Sequence, residues 1–372
     1  MNNDSNLKMQ AGITFLPKLN SRLYLPLIEA CGGIEGFFLE SEAALNALCL
    51  AFQLRKELFN RKKALSMAEK ELEYIDRLNI QLCSIEHHQY PFLLHQCEDA
   101  PLVFYYKGRL HTDKRTYVAI VGTRKASEHC SLQVENIIGE LHRVCPSLIT
   151  VSGLAFGIDI TAHRASLKHN IPTYAVLGHG LHTIYPTSHK DIAQKLLTQG
   201  GALISEFPCQ FPILPVNFLQ RNRIIAGLCQ TTFIAESAVK GGAMATARMA
   251  QSYSRDVVAL PGRPEDKMSS GCNLLIKQNI AALIENGKDI ARILGISIPN
   301  CPVEEKTPNL FSDTPEETII LKTLTDQGDT DIDTLNTITR IPIPKLSALL
   351  TELELKEKIH SLPGKNYIIN KK

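Results

Sequence analysis

The chain has 372 residues, 44% hydrophobic and 21% charged, which is enough for two or three domains and at least one sizeable core. Its 40 basic and 38 acidic residues give a net charge of +2, so any nucleic-acid surface must be a local patch rather than a globally basic body. No apolar run approaches the ~18–20 residues that span a bilayer. The first residues lack the basic and apolar segments of a signal peptide, and ten cysteines occur without a C-x-x-C pair. A cytoplasmic protein with reduced thiols is expected, with no membrane contact, disulfide framework or structural zinc.

In chain order, residues 1–78 read as a helical module. Ala30-Cys31-Gly32-Gly33-Ile34 ends one helix and starts another, and 48–78 carries apolar positions at helical spacing among dense Lys, Arg and Glu. Residues 79–296 alternate short β-rich runs with helical stretches, which predicts a doubly wound α/β domain. Its expected strands are 82–86, 102–106, 117–121, 148–151, 173–177, 202–205, 231–235 and 256–260. A proline-spaced linker is expected over 297–312. Residues 313–372 read as three helices, 315–326, 331–339 and 345–357, followed by a hairpin pairing Ile359–Leu362 with Tyr367–Ile369, the layout of a winged helix.

Two strand-and-glycine-loop units dominate the central domain. Tyr117–Val121 runs into Gly122-Thr123-Arg124-Lys125-Ala126-Ser127, and Leu148–Val151 runs into Ser152-Gly153-Leu154-Ala155-Phe156-Gly157. Each precedes a helical pattern, so amide groups, hydroxyls and a helix N-terminus gather at the carboxyl edge of a parallel sheet, a setting suited to phosphates. Gly122 permits a sharp turn, Thr123 and Ser127 offer hydroxyls, and Arg124 can grip a phosphate in a bidentate fork. Ordinary βα turns with helix caps would read the same way. Lys240-Gly241-Gly242-Ala243 opens a third such loop after Glu236, with closure of the sheet an equally good reading.

Phe218-Leu219-Gln220-Arg221-Asn222-Arg223 is the sharpest basic feature: arginines can track a phosphate backbone while an aromatic stacks an unpaired base. A core phenylalanine beside structural ion pairs is the plain alternative. Ser152, Asp159 and His163 could be imagined as a catalytic set, but no G-x-S-x-G elbow is present and an anion-binding role is preferred. Gly178-His179-Gly180 is only part of a dinucleotide fingerprint. His179, His182 and His189 lack ligand-spaced partners other than Asp191 and read as solvated loop histidines, so no metal and no cofactor are expected.

Together these motifs resemble the DprA (Smf) family of DNA-processing proteins. The likeness runs through GTRKAS at 122–127, SGLAFGIDITAH at 152–163, YPTSH at 185–189, SEFP at 205–208, FLQRNRIIAGL at 218–228, GGAMATA at 241–247 and LPGRPEDKMSSGCNLLI at 260–276. It implies an extended Rossmann-like core, a sterile-alpha-motif-like module before it, and a winged helix after it. It also implies a non-enzymatic homodimer that binds single-stranded DNA, protects incoming strands and loads RecA in natural transformation. Carried over, Gly122, Arg124 and Ser127 would hold phosphates, Phe218 would stack near a base, and Arg221 and Arg223 would complete the groove. Thr123, Ser152, Gly153, Asn222, Gly241, Gly242 and, more weakly, Lys190 would join them.

The chain departs from the family pattern at three points. No lysine occurs over 211–217, Gly241 stands where serine is usual, and residues 313–372 hold 8 basic against 10 acidic residues, a net of −2. An acidic winged helix suits a protein contact better than duplex DNA. The rival expectations are a nucleotide-binding sensor, or a nucleoside-phosphate hydrolase with a PGGxGTxxE loop. For the hydrolase, Arg248 and Met249 stand where the catalytic glutamate is needed, and without that carboxylate the general base is missing.

Overall fold

The structure, a computed structural model, describes residues 3–16, 21–54, 60–209, 211–297, 314–356, 358–362 and 364–370. The chain forms two compact units, Met1–Ile298 and Pro299–Lys372. Apart from Ser297, the expected linker lies outside the described residues.

The first unit opens with helices α1 (Asn3–Ile13), α2 (Ser21–Ala30), α3 (Ile34–Leu39), α4 (Glu42–Ala51) and α5 (Arg61–Arg77). These helices share a hydrophobic core with the sheet, in which Leu27, Ile34 and Phe37 join Cys83, Leu94 and Phe104. Polar ties reinforce it: Thr14 Oγ1 lies 2.8 Å from Tyr105 Oη, Ile34 N donates to Glu86 Oε1 at 2.7 Å, and Cys209 N donates to Glu71 Oε1 at 2.6 Å. Buried Arg61 donates to the carbonyls of Phe37 and Glu40 at the end of α3, where a cation complements the helix dipole.

A nine-stranded mixed sheet follows. Its strands are β1 (Gln81–Ser84), β2 (Val103–Gly108), β3 (Thr116–Val121), β4 (Leu148–Ser152), β5 (Thr173–Val176), β6 (Ala202–Ser205), β7 (Thr231–Ile234), β8 (Asp256–Ala259) and β9 (Ala282–Leu283), in the order β1-β2-β6-β5-β4-β3-β7-β8-β9. The stretch from β6 to β9 is parallel, whereas β1 and β2 pair antiparallel with each other and β2 with β6. The eight expected strands are present. The ninth, β9, is two exposed residues long and carries no alternation a sequence could reveal.

Side chains of β3 alternate between two cores, as the two-residue period of a strand requires. Val118 and Ile120 pack with helices α7 (Glu128–Val144), α8 (Ile158–Lys168) and α13 (Gly287–Ile293). Ala119 and Val121 face the core containing α10 (Pro215–Gly227), α11 (Gly242–Ser252), α12 (Ser270–Lys277) and the N-terminal helices. Helices α6 (Phe92–His95) and α9 (Lys190–Thr198) complete the unit. Burial on both faces explains why β3 to β8 read as largely apolar runs without polar alternation. Of the nine cysteines described, eight are buried and Cys31 is half-buried.

The second unit is a winged helix: α14 (Pro315–Gln327), α15 (Ile332–Thr339) and α16 (Ile343–Leu355) pack on strands β10 (Thr330–Asp331), β12 (Asn366–Ile369) and β11 (Ile359–Leu362). Thr314 and Glu317 form a reciprocal capping box at the start of α14, with Pro315 in its first turn. The expected hairpin is present, with β10 added to its edge.

Candidate nucleic-acid interface

Strand order reverses at β3: β4, β5 and β6 lie to one side and β7 and β8 to the other. The loops after β3, β4 and β7 therefore meet at the carboxyl edge, where open α/β sheets form their binding crevices. Two glycines let them touch. A Cβ at Gly122 would sit 2.4 Å from Ile158 Cγ1 and 2.9 Å from Glu236 O, and one at Gly157 (φ +77°) would sit 2.1 Å from Thr123 O.

Hydrogen bonds then lock the loops together. Thr123 N donates to Glu236 O at 2.7 Å, Ile158 N to Thr123 O at 3.1 Å, and Ser127 N to Glu236 Oε2 at 2.8 Å. Glu236, which the sequence marks only as the end of a strand, is buried and anchors the first loop twice. Ser127 Oγ caps α7 by accepting from Cys130 N.

A cavity of about 310 Å³ opens where these loops meet α10. Buried Asp159 and Arg221 line it together with Arg124, Phe218, Asn222, Gly241 and Gly242. Arg124 is exposed, and its guanidinium carbon lies 5.8 Å from the Phe218 ring centroid, within cation–π range. The Phe218 ring lies 5.9 Å from that of Tyr185, at 52°. Gly178 makes room for Phe218, since a Cβ there would sit 3.1 Å from its ring and backbone.

The two arginines of 221–223 do not share a groove wall. On a helix of 3.6 residues per turn, positions i and i+2 point about 200° apart. Arg221 turns inward, 3% exposed, and donates from Nη1 to Val176 O. Arg223 points away from the cavity, donating to Asp99 O and pairing with Glu206.

Gly153 is what admits Arg221: a Cβ there would lie 2.1 Å from Nη1. Ser152 Oγ donates to Ile120 O at 2.6 Å in a fully buried position. Thr123 borders the cavity, whereas Lys190 stands exposed at the start of α9, outside it.

Electrostatics divide the site by depth. Burial pushes the Arg221 guanidinium down to about 10, so it remains a cation at neutral pH. Burial raises the Asp159 carboxyl, and the Arg221 charge opposes that rise. Burial, aided by Arg221 and His189, pushes His163 down to about 3, leaving a neutral imidazole whose Nδ1 lies 2.8 Å from Thr173 Oγ1. Ser152 and His163 thus have other partners, and no nucleophile–base hydrogen bond between them is made.

The loop histidines are a correction to the sequence reading. His182 is exposed, but His179 and His189 are buried and structural. His179 accepts from Tyr185 N at 3.3 Å, and His189 Nδ1 lies 2.8 Å from Leu154 O. Polar loops that double back over a sheet edge need internal partners for their amides and carbonyls, and imidazoles supply them. Among the described residues no cluster of His, Cys, Asp or Glu is placed to hold a metal, and no helix is long and apolar enough to cross a membrane.

Residues 81–295 match the profile of the DNA recombination-mediator protein A family, and 304–365 that of the DprA winged helix domain. Protein Smf of Escherichia coli K12 is 36% identical over 306 residues, covering 80% of this chain and 79% of that protein. DNA processing protein DprA of Streptococcus pneumoniae R6 is 40% identical over 202 residues, 54% of this chain and 70% of that one. The X-ray structure of Streptococcus pneumoniae DprA superposes with a TM-score of 0.64 at 30% identity, over 80% of this chain and 99% of that one. DNA processing protein A of Helicobacter pylori, whose structure concerns a unique single-stranded DNA binding mode, superposes with a TM-score of 0.51 at 29% identity, over 57% and 95% of the two chains. With a matching profile across its whole central domain and a winged helix behind it, the chain belongs to the DNA recombination-mediator protein A (DprA/Smf) family.

Proposed function

We propose that this protein binds single-stranded DNA without chemically altering it, protects incoming strands, and loads RecA on them as a homodimer during natural transformation. The observation that carries the reading is the exposed Arg124 guanidinium set over the half-buried Phe218 ring at the mouth of the cavity. A fixed cation beside an aromatic face suits a backbone phosphate next to an unpaired base, and the combination is tolerant of sequence.

Arg124, Phe218, Thr123 and Asn222 make the direct contacts in this proposal, with Gly122, Gly241 and Gly242 letting backbone approach. Arg221 acts as a buried positive charge beneath the bound phosphate, and Ser152, Gly153, Ser127 and Arg223 hold the loops and α10 in place. Lys190 extends the positive surface. The relatives' names support a role in DNA processing, and the acidic balance of 313–372 favours a protein contact for the winged helix.

The test is fluorescence anisotropy with labelled oligo-dT and matched duplex across a salt series, using wild type, Arg124→Ala and Phe218→Ala. Salt-sensitive binding to the single strand, weakened by both substitutions and reduced in salt slope by about 0.7 in Arg124→Ala for its one phosphate, is the expected result. Binding indifferent to both substitutions refutes the reading. Saturable binding of a mononucleotide with no affinity for the strand would move the sensor reading to the front, and the cavity volume is compatible with such a ligand.

A further inference from the structure

We propose that Tyr185 and Phe156 are additional base-stacking platforms that carry the strand along the sheet edge beyond the cavity. The inference rests on the single-strand reading above and extends its contact surface.

Among the described residues only three Phe or Tyr side chains are strongly exposed, Phe92, Phe156 and Tyr185, and two of them stand on the carboxyl-edge loops beside the cavity. Each of the two is 51% exposed. An exposed ring on a loop can be incidental, but these two are held in position. The Phe156 ring packs edge-on against buried His189 at 4.8 Å, and the Tyr185 backbone donates to buried His179 while its ring leans on Phe218. A platform fixed in advance loses little side-chain freedom when a base covers it.

The topology sets the track. Tyr185, Phe156 and Arg124 lie on the loops following β5, β4 and β3, which are neighbours in the sheet. Strands spaced about 4.8 Å apart put the three strand ends in a row about 10 Å long, and ring contacts tie Tyr185 to Phe218 and Phe218 to Arg124. Chemistry changes along that row. Arg124 and Lys125 are exposed at the β3 end, while rings occupy the β4 and β5 loops. The segment entering α10, which lacks lysine over 211–217, exposes Ile213, Leu214 and Val216. Apart from Lys190 at the start of α9, binding at this end therefore depends on the faces of bases more than on phosphate neutralisation.

An abasic strand separates the two kinds of contact. Anisotropy is measured with oligo-dT and with an abasic-spacer strand of equal length, using wild type, Tyr185→Ala, Phe156→Ala, Tyr185→Phe and Arg124→Ala. The alanine variants should each weaken oligo-dT binding about 5- to 150-fold, the range for losing one stacked base. They should leave abasic binding and the salt slope unchanged, and Tyr185→Phe should bind as wild type. Arg124→Ala should weaken both strands.

Equal losses on the two strands for the aromatic variants, or none on either, would overturn the inference while a normal Arg124 effect left the cavity reading standing. Indifference of both strands to Arg124→Ala would remove the single-strand reading itself.

Discussion

Gly153→Ala isolates one atom-scale demand of the site. Gly153 is absent from the positive-φ positions, so alanine fits the backbone there and by itself should stabilise by about 0.4–1 kcal/mol through the unfolded chain. The added Cβ, however, falls 2.1 Å from Arg221 Nη1 and 2.5 Å from Cζ. Arg221 must then give up its bond to Val176 O and swing into the cavity it lines. A hydrogen bond from a charged donor is worth about 1.5–3 kcal/mol, so the net cost should be about 0.5–2.6 kcal/mol.

Urea unfolding of the full chain, followed by far-UV ellipticity because tryptophan is absent, measures it. In an Arg221→Ala background the same Gly153→Ala change should be neutral or stabilising. An unchanged midpoint in the wild-type background, or an equal cost in both backgrounds, would refute the idea that Gly153 exists to admit the guanidinium.

The buried imidazole gives a pH prediction. His163 titrates near 3 in the folded protein against a reference of 6.5, so its contribution is complete above about pH 6.5 and is lost as pH falls. The loss from this group should run at about 1.4 kcal/mol per pH unit below that point, and His163→Gln should reduce proton uptake on unfolding by about one. Urea midpoints at pH 7, 6 and 5 check this, and an unaltered slope in the variant would contradict it. In the second unit, Thr314→Ala removes the cap bond to Glu317 N and should cost about 1 kcal/mol, visible as a lower melting temperature of the isolated 314–370 transition in calorimetry.

Much of the fold was legible because both faces of β3 to β8 are buried, which writes each as a short, largely apolar run, most of them followed closely by Gly, Ser or Glu. The antiparallel attachment of β1 and β2 was not, since pairing direction leaves no mark in a buried strand such as Val103–Gly108. Glycine positions marked the loops that meet at the carboxyl edge, but the sequence gives no sign that Gly153 faces a side chain from α10. The opposite aims of Arg221 and Arg223 follow from helical geometry once Pro215 is recognised as the first turn of α10. That Arg221 is the inward one depends on the packing of α10 against β5, which only tertiary structure supplies. The exposure of Tyr185 and Phe156 is invisible in one dimension.

The bond from Cys209 N to Glu71 Oε1 reaches from the N-terminal helices to the segment that feeds α10, six residues before Pro215. Glu71 is buried and its carboxyl is raised by that burial, so the amide is its natural partner. The helices before residue 78 are thus a buttress for the very helix that carries Phe218 and Arg221, not a detachable ornament. A fragment trimmed to begin at β1 would strip Cys209 of its acceptor and uncover the apolar partners of Leu27, Ile34 and Phe37. Modularity that looks obvious in a linear map ends at that hydrogen bond, and mechanical strain on the first seventy residues has a short covalent and hydrogen-bonded route to the mouth of the cavity.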